Sequence, residues 1–300
     1  MKRFSKMFKM FIIFVGLVVI LSCSNQVQDI SSDITYDFSS DGEPIDVIIL
    51  AGQSNATGYC LNENLRDFVS PEDFELFTNG FENQKIFWYL DRSIYNMPPE
   101  IVNFTNVKFG QGIGIDFFGP EIGISYVFNK SKKNIIIIKY TSPGSGIDRF
   151  VSKKNITSFV LNASFEGFIV QSLQEIVSRG YSPSVKGFCW MQGEADSCNY
   201  EASMEYEEKE KGLIEDIRKK FGEEIAFVDA KITDLNLLFP SCYQYIVNEA
   251  KMNISQNNNQ SYLISSVNLT KKKDDVAHYD ARSEFELGKR FGEMILSKCY

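Results

Sequence analysis

Ser54, His278 and Asp275 are the residues whose types and spacing best suit nucleophilic chemistry. Ser54 follows an apolar run at residues 47–51, where the pattern predicts the end of a buried strand. A serine hydroxyl is a weak nucleophile unless a base takes its proton, and His278 is the only histidine of the chain. Asp275 precedes it by three residues, a spacing that can bring a carboxylate to the imidazole in a turn. The set predicts acyl transfer, although Ser54 alone could equally cap the following helix.

Two further segments offer hydrogen-bond donors of the kind that acyl transfer needs. The tetrahedral intermediate carries a negative oxygen, which N–H groups must stabilise. Gly144 offers a backbone N–H after the second predicted strand, and Gln192 offers an amide after the third. Three successive strands are thus followed by a nucleophile, a glycine turn and an amide. Coincidence could explain each of these residues alone, but it explains all three together much less well.

Short apolar runs alternate with longer amphipathic segments along the chain. The runs are rich in Ile, Val and aromatic residues, as in strands buried on both faces. The predicted strands are residues 47–51, 135–140, 185–191, 225–230 and 262–267. The predicted helices are residues 120–129, 168–179, 206–221, 243–254 and 283–296. This alternation predicts an α/β fold with a parallel sheet covered on both faces, in which ligands bind beyond the carboxyl ends of the strands.

Residues 1–22 are predicted to be a lipoprotein signal peptide. Four basic residues precede an apolar run at 10–21, which is short for a membrane span but typical of a signal sequence. Residues 20–23 resemble the bacterial lipobox, whose cleavage leaves Cys23 as an acylated N-terminus; the alternative is an ordinary signal peptide with an incidental cysteine. The lipobox predicts an exported lipoprotein of the cell envelope. Because Ser24 rather than an aspartate follows Cys23, an outer-membrane or periplasm-facing location is favoured.

The rest of the chain divides into a short polar segment and one large domain. Residues 23–43 are rich in serine and aspartate, which predicts a flexible tether, and residues 44–300 are enough for a single domain. The formal net charge of −8 argues against nucleic acid as a partner. The five cysteines besides Cys23 leave at least one thiol unpaired, and without a C-x-x-C pair we predict no metal and no cofactor.

Four motifs resemble those of the sialate O-acetylesterase and acetylxylan-esterase branch of the SGNH hydrolases, which is similar to carbohydrate esterase family 6. They are GQSN at 52–55, GPE at 119–121, WMQGEAD at 190–196 and DVAH…LGKRF at 275–291. The first and third are highly specific, whereas GPE alone is weak, and the resemblance covers nearly all of the chain from residue 46. It implies a flavodoxin-like, three-layer sandwich with a central parallel sheet of five strands.

The resemblance also implies roles for individual residues. Ser54 would be the nucleophile, His278 the general base and Asp275 its orienting acid. The oxyanion hole would consist of the Ser54 backbone N–H together with Gly144 and Gln192.

Other residues of the motifs are expected to support this set. Glu194 is an alternative partner for His278, because some relatives use the glutamate of the Q-G-E motif in that way; otherwise it pins the Gln192 loop. Asp196 is expected to anchor the same loop, and Gln53 and Asn55 to be structural or substrate-facing.

The implied activity is the metal-independent removal of acetyl groups from an acetylated carbohydrate through an acyl-enzyme. Pro143 and Phe150 stand where relatives often have glycine and tryptophan. Both positions are expected near the mouth of the substrate site, so acetylated xylan, O-acetylated sialic acid and other acetylated glycans all remain candidate substrates. Two alternatives are a glycan-binding surface lipoprotein without catalysis and a thiol enzyme built on Cys60. Four aromatic residues between the first strand and the GPE motif could stack on sugar rings or pack in the core, the latter being favoured for Trp88. They are Tyr59, Trp88, Tyr89 and Tyr95.

Overall fold

The computed structural model of the protein describes residues 35–151, 164–233 and 242–300. Its strands are β1 (Glu43–Gly52), β2 (Cys60–Leu61), β3 (Gln84–Leu90), β4 (Glu100–Asn106), β5 (Phe117–Phe118), β6 (Ile135–Thr141), β7 (Tyr181–Met191), β8 (Ala226–Ala230), β9 (Ser261–Ile264), β10 (Lys271–Lys272) and β11 (Asp275–Tyr279). Its α-helices are α1 (Ser54–Thr57), α2 (Pro71–Asn79), α3 (Pro120–Lys130), α4 (Phe165–Ser178), α5 (Tyr200–Phe221), α6 (Gln244–Asn257) and α7 (Ala281–Cys299). The predicted signal peptide and Cys23 lie outside the described residues.

The main sheet of the described chain has the strand order β4-β3-β6-β1-β7-β8-β9. All neighbouring strands run parallel except β4, which pairs with β3 in the antiparallel direction at the sheet edge. The five predicted strands are all present, and their order along the sheet, 2-1-3-4-5, is that of a flavodoxin-like fold. The predicted α/β class with a central parallel sheet is therefore confirmed.

The number of strands is a correction, because the described sheet has seven strands rather than five. β3 and β4 were not predicted from the sequence, and the aromatic residues of β3 were considered as groups that could stack on sugars or pack in the core. Trp88 and Tyr89 are in fact only 1% and 3% exposed, and both belong to the core. β4 alternates exposed and half-buried positions, as expected of an edge strand with one face towards solvent.

Helices cover both faces of the sheet and make the predicted three layers. On one face Phe168 of α4 packs against Tyr140 of β6. On the other, Ile295 of α7 lies so close to Gly187 of β7 that a Cβ there would come within 2.7 Å of its side chain. α3 and α7 cross at Gly288, whose position would not admit a Cβ, because the Pro120 carbonyl would be 2.1 Å away.

Capping side chains explain why two helices start earlier than predicted. Asn199 accepts a hydrogen bond from Ala202 N–H, so α5 begins at residue 200 instead of 206. Asp280 accepts from Ser283 N–H, so α7 begins at residue 281 instead of 283. Both are side chains that satisfy the free N–H groups of a first helical turn.

The predicted tether is packed against the domain over the part that the structure describes. The Tyr36 hydroxyl donates to Glu166 at 2.9 Å, and its ring stacks on Phe221 at the end of α5. The described part of the predicted tether thus contacts the domain, and the boundary at residue 43 stays a prediction. Across the described residues, no helix combines the length and the apolar character that crossing a membrane requires.

Candidate active site

The carboxyl ends of three adjacent strands lie side by side and form the floor of the site. Gly52 of β1 is in register with Thr141 of β6 on one side and Met191 of β7 on the other. A Cβ on Gly52 would lie 1.9 Å from the Met191 carbonyl oxygen, and its φ of +146° is one that side-chain-bearing residues rarely adopt. The glycine of the GQSN motif therefore lets the chain turn directly from β1 into α1.

Ser54 is the first residue of α1 and lies at this strand end. The N-cap position of α1 is occupied by Gln53, and the Ser54 side chain has no hydrogen-bond partner among the described residues, so the capping alternative from the sequence is wrong. The residue is 8% exposed. The hydroxyl of Ser54 thus stands without an internal partner at the point where the fold predicts ligand binding.

His278 and Asp275 lie on β11 and are in direct contact. His278 Nδ1 is 2.6 Å from Asp275 Oδ2, and the other carboxylate oxygen accepts from the Ala277 N–H. Partial burial opposes ionisation of Asp275, but the bond and charge of His278 outweigh it and lower the pKa of this carboxyl. The carboxylate holds the proton on Nδ1 and leaves Nε2 as the basic atom.

Asn55 joins the serine segment to the histidine segment. Its side-chain amide donates to the Ala277 carbonyl at 3.2 Å, and its oxygen accepts from the Tyr279 N–H at 3.3 Å. The two partners flank His278 in the sequence. Asn55, expected to be structural or substrate-facing, is 2% exposed and structural.

Glu194 is bound to Asn55 rather than to His278. Its Oε1 accepts from Asn55 Nδ2 at 2.7 Å, whereas Oε2 has no partner among the described residues. Burial raises the pKa of Glu194, although the bond from Asn55 opposes the shift. The carboxylate in contact with the imidazole is therefore that of Asp275.

Gln192, the predicted amide donor of the oxyanion hole, is in contact with several acceptors of the protein itself. It is fully buried, and its Nε2 lies 2.5 Å from Asp196 Oδ2, 3.1 Å from the Ser145 carbonyl and 3.3 Å from Gln53 Oε1. Three acceptors compete for two amide hydrogens, and the Tyr206 hydroxyl donates to Gln192 Oε1. These contacts hold the Gln192 side chain against the turn at Ser145 together with Gln53 and Asp196, and its role as an oxyanion donor stays a prediction.

The remaining candidate oxyanion donors are the backbone N–H groups of Ser54 and Gly144. Neither N–H has an acceptor within the part of the chain that the structure describes. Gly144 is exposed and has a φ of +68°, a conformation that favours glycine. The Ser142 N–H donates to the Gly52 carbonyl at 3.0 Å, which holds the Gly144 turn beside the serine turn.

The weak GPE motif has a structural role behind the nucleophile. Lys139 of β6 is fully buried, and its ammonium group lies 2.7 Å from Glu121 and 2.8 Å from the Thr57 carbonyl at the end of α1. Burial lowers the pKa of Lys139 even though Glu121 opposes the shift. This buried pair fixes the end of the helix that begins with Ser54.

Tyr59 is in contact with the imidazole, a role that was not predicted from the sequence. The ring of Tyr59, treated as a possible sugar-stacking group, stacks on His278 with centroids 4.2 Å apart and planes 2° from parallel. Cys60, the thiol of the alternative enzyme, instead donates to the Tyr279 carbonyl, and burial raises its pKa well above the usual value. A thiol held in its protonated form is a poor nucleophile.

Comparisons with known proteins identify the family of the chain. The family model described as a carbohydrate esterase, sialic acid-specific acetylesterase, matches residues 44–297. The chain belongs to this family. This membership confirms the family resemblance that the motifs predicted. It also confirms that the chain is of the esterase class. No curated protein matches the chain in sequence.

Solved structures of low sequence identity share the fold of this chain. A protein from Arabidopsis thaliana is 17% identical with a TM-score of 0.57, and the match covers 86% of this chain and 100% of that one. NanS is 14% identical with a TM-score of 0.56, over 85% of this chain and 98% of that one. A carbohydrate acetylesterase from Xanthomonas citri gives the same identity and TM-score over 85% of this chain and 57% of that one.

Proposed function

We propose that the protein is a serine esterase that removes O-acetyl groups from an acetylated glycan, of the xylan or sialic acid type, through an acyl-enzyme. The observation that carries the proposal is the contact between the only histidine and Asp275, on a strand that Asn55 ties to the serine turn. A protein that only binds glycans has no need of a serine, an imidazole and a carboxylate assembled from distant segments.

The proposed mechanism uses the atoms of this site alone. Ser54 Oγ attacks the carbonyl carbon of the acetyl ester while His278 Nε2 takes its proton. The N–H groups of Ser54 and Gly144 donate to the oxygen that becomes negative. His278 then gives the proton to the sugar oxygen, which leaves as an alcohol. Water activated by the same Nε2 hydrolyses the acetyl-Ser54 ester and releases acetate.

The charge of Asp275 supports this sequence because the imidazole becomes an imidazolium at each of the two addition steps. A carboxylate 2.6 Å from Nδ1 stabilises that cation and keeps Nε2 directed away from itself. The lowered pKa of Asp275 keeps the carboxyl ionised at neutral pH. A water molecule or an uncharged acceptor at the same place would stabilise the imidazolium far less.

The test is hydrolysis of p-nitrophenyl acetate by the purified full-length chain, with Ser54→Ala as the inactive control. Acetate release is then measured from acetylated xylan, from O-acetylated sialic acid and from another acetylated glycan. Turnover that depends on Ser54 supports the esterase, and the best glycan identifies the substrate class. Binding of a glycan without any Ser54-dependent turnover would support the non-catalytic alternative instead.

The proposal extends to the place where the enzyme acts. The lipobox at residues 20–23 supports an acyl anchor on Cys23 and a position in the cell envelope, where acetylated glycans are accessible. Cys23→Ala should abolish incorporation of labelled fatty acid and release the protein from the membrane fraction. An unmodified, wholly soluble wild-type protein would refute the anchor and leave the esterase proposal unaffected.

A further inference from the structure

Tyr59 forms one wall of the space around the imidazole of His278. The chain reaches it through Gly58, whose φ is +94° and where a Cβ would lie 2.2 Å from the Phe118 carbonyl oxygen. This turn after α1 brings the Tyr59 ring parallel to the imidazole, with centroids 4.2 Å apart. The Tyr59 hydroxyl is in turn hydrogen-bonded to the hydroxyl of Tyr95, which lies between β3 and β4.

We propose that Tyr59 is a positioning residue for His278. The Tyr59 ring fixes the plane of the imidazole, and the hydrogen bond to Tyr95 holds the Tyr59 ring in this orientation. The inference rests on the proposed function, since positioning matters only if His278 is the base. The Asp275 carboxylate holds one ring atom and leaves rotation about that contact open. A parallel ring on the face of the imidazole restricts this rotation and so limits the directions in which Nε2 can point.

The aromatic face also has an electrostatic effect on the reaction. The imidazole gains a positive charge when it takes the proton of Ser54. An aromatic ring attracts a cation over its face, so the contact with Tyr59 strengthens as the charge develops. Interactions that are stronger in the transition state than in the ground state raise kcat more than they change KM.

The Tyr59 hydroxyl remains protonated throughout the working pH range. Burial and the neighbouring Tyr95 hydroxyl raise its pKa above the usual value. A phenolate would place a negative charge beside the imidazole and compete with Asp275. The neutral ring therefore adds orientation and a π face without a second counter-ion.

Kinetics of Tyr59→Leu, Tyr59→Phe and Tyr95→Phe test the role, with p-nitrophenyl acetate as substrate. Loss of the stacked ring in Tyr59→Leu should lower kcat about tenfold while KM changes less than about twofold. Tyr59→Phe keeps the ring but loses the bond to Tyr95, so its kcat should fall between those of the wild type and Tyr59→Leu, and Tyr95→Phe should resemble it because both remove the same bond. Tyr245→Leu, which changes an exposed tyrosine on α6, is the matched control. Unchanged kcat in Tyr59→Leu would overturn the inference.

A second measurement does not depend on catalysis. Because the chain has one histidine, the imidazole protons of the untagged full-length protein give a single set of NMR signals after selective histidine labelling. A stacked tyrosine should shift these signals upfield by its ring current, in Ser54→Ala as well as in the wild type. The shift should persist in Tyr59→Phe and disappear in Tyr59→Leu. Signals that do not move in Tyr59→Leu would refute the stacking even if the esterase is active, and an inactive wild type with the expected shifts would refute only the proposed function.

A separate observation concerns Cys198 and Cys242, whose sulfur atoms are 3.6 Å apart. Cys198 ends the turn after the Q-G-E motif, and its thiol also contacts the Glu194 carbonyl. Cys242 lies just before α6. The neighbouring backbones are already joined, because the Tyr243 N–H donates to the Ser197 carbonyl at 2.7 Å.

We infer that Cys198 and Cys242 form a disulfide under oxidising conditions. The exposed Cys198 thiolate attacks a disulfide oxidant such as oxidised glutathione and releases one glutathione thiol. The Cys242 thiolate then attacks the mixed disulfide and releases the second, so two protons and two electrons leave the protein. Burial and the Cys242 thiol raise the pKa of Cys198 to about 11, so the exchange should be faster at pH 9 than at pH 7.

Thiol counting and peptide mapping test this pair. After incubation of the unlipidated full-length chain with oxidised glutathione, the titratable thiols under denaturing conditions should fall from six to four. Proteolysis without reductant should yield a peptide that links Cys198 to Cys242. Cys198→Ser should block the loss of both thiols, whereas Cys189→Ser, a change at a buried cysteine of β7, should not. Retention of all thiols, or a link between other cysteines, would overturn the inference.

Discussion

Replacing Asp275 with asparagine should slow ester hydrolysis about a hundredfold while leaving the fold intact. The carboxylate lies 2.6 Å from His278 Nδ1, and opposite unit charges at this distance attract by about 6 kcal/mol at an effective dielectric of about 20 and by about 1.6 kcal/mol in bulk water. Because the Asp275 side chain is 35% exposed, solvent screening brings the value to about 3 kcal/mol. At about 1.36 kcal/mol per tenfold change in rate, this corresponds to about a hundredfold in kcat.

The assay is kcat for p-nitrophenyl acetate at pH 8, compared among three variants of similar thermal stability. Asp274→Asn is the matched control, because it removes an exposed carboxylate from the adjacent residue and should change kcat less than about threefold. Glu194→Gln keeps the shape of a side chain that does not contact the imidazole and should also be mild. A large loss in Glu194→Gln together with a small loss in Asp275→Asn would refute the assignment of the acid but not that of the base.

The other predictions concern the base, the Q-G-E loop, a buried carboxyl and metal ions. Ser54→Ala, His278→Ala and the double variant should lose similar amounts of kcat, since the two side chains act as one unit, and additive losses would contradict this. Gln192→Ala should lower both kcat and the melting temperature because it removes bonds to Asp196 and the Ser145 carbonyl; a loss of kcat at unchanged stability would instead support a direct oxyanion donor. Burial raises the pKa of the Glu284 carboxyl well above 4.5, so the folded protein binds the carboxyl proton more tightly than the unfolded chain does. The free energy of unfolding of the wild type should therefore fall as the pH rises above 4.5. In urea unfolding, Glu284→Gln should be stabilised relative to the wild type more at pH 8 than at pH 5. EDTA should leave turnover unchanged, and activity that a divalent ion restores after chelation would show a metal requirement.

The parts of the fold that hydrophobic patterning determines could be predicted from the sequence. The five central strands are short runs buried on both faces, and such runs differ clearly from amphipathic helices. The site followed from the same pattern, because the ends of parallel strands meet at one edge. β3 was missed since Trp88 and Tyr89 suit a sugar-binding surface as well as a core, and only the neighbouring strand β6 decides between the two.

Contacts between distant segments account for what the sequence could not predict. The amide of Gln192 is taken up by acceptors from three separate segments, and each contact depends on the full tertiary structure. The choice between Asp275 and Glu194 as the partner of His278 depends on where Asn55 directs its amide. The stacking of Tyr59 on His278 joins residues that lie 219 positions apart, and no local pattern indicates such a pair.

The link that Asn55 makes between the serine turn and β11 has a consequence for the time at which the protein becomes active. Asn55 and Ala277 are 222 positions apart, so during synthesis the nucleophile leaves the ribosome long before its base. A nascent chain, or one cleaved before β11, contains the whole GQSN turn and yet no group that can activate the hydroxyl. Ester hydrolysis should therefore appear only after β11 has been made and has docked against the serine turn, and its onset would report that these two distant segments have come together.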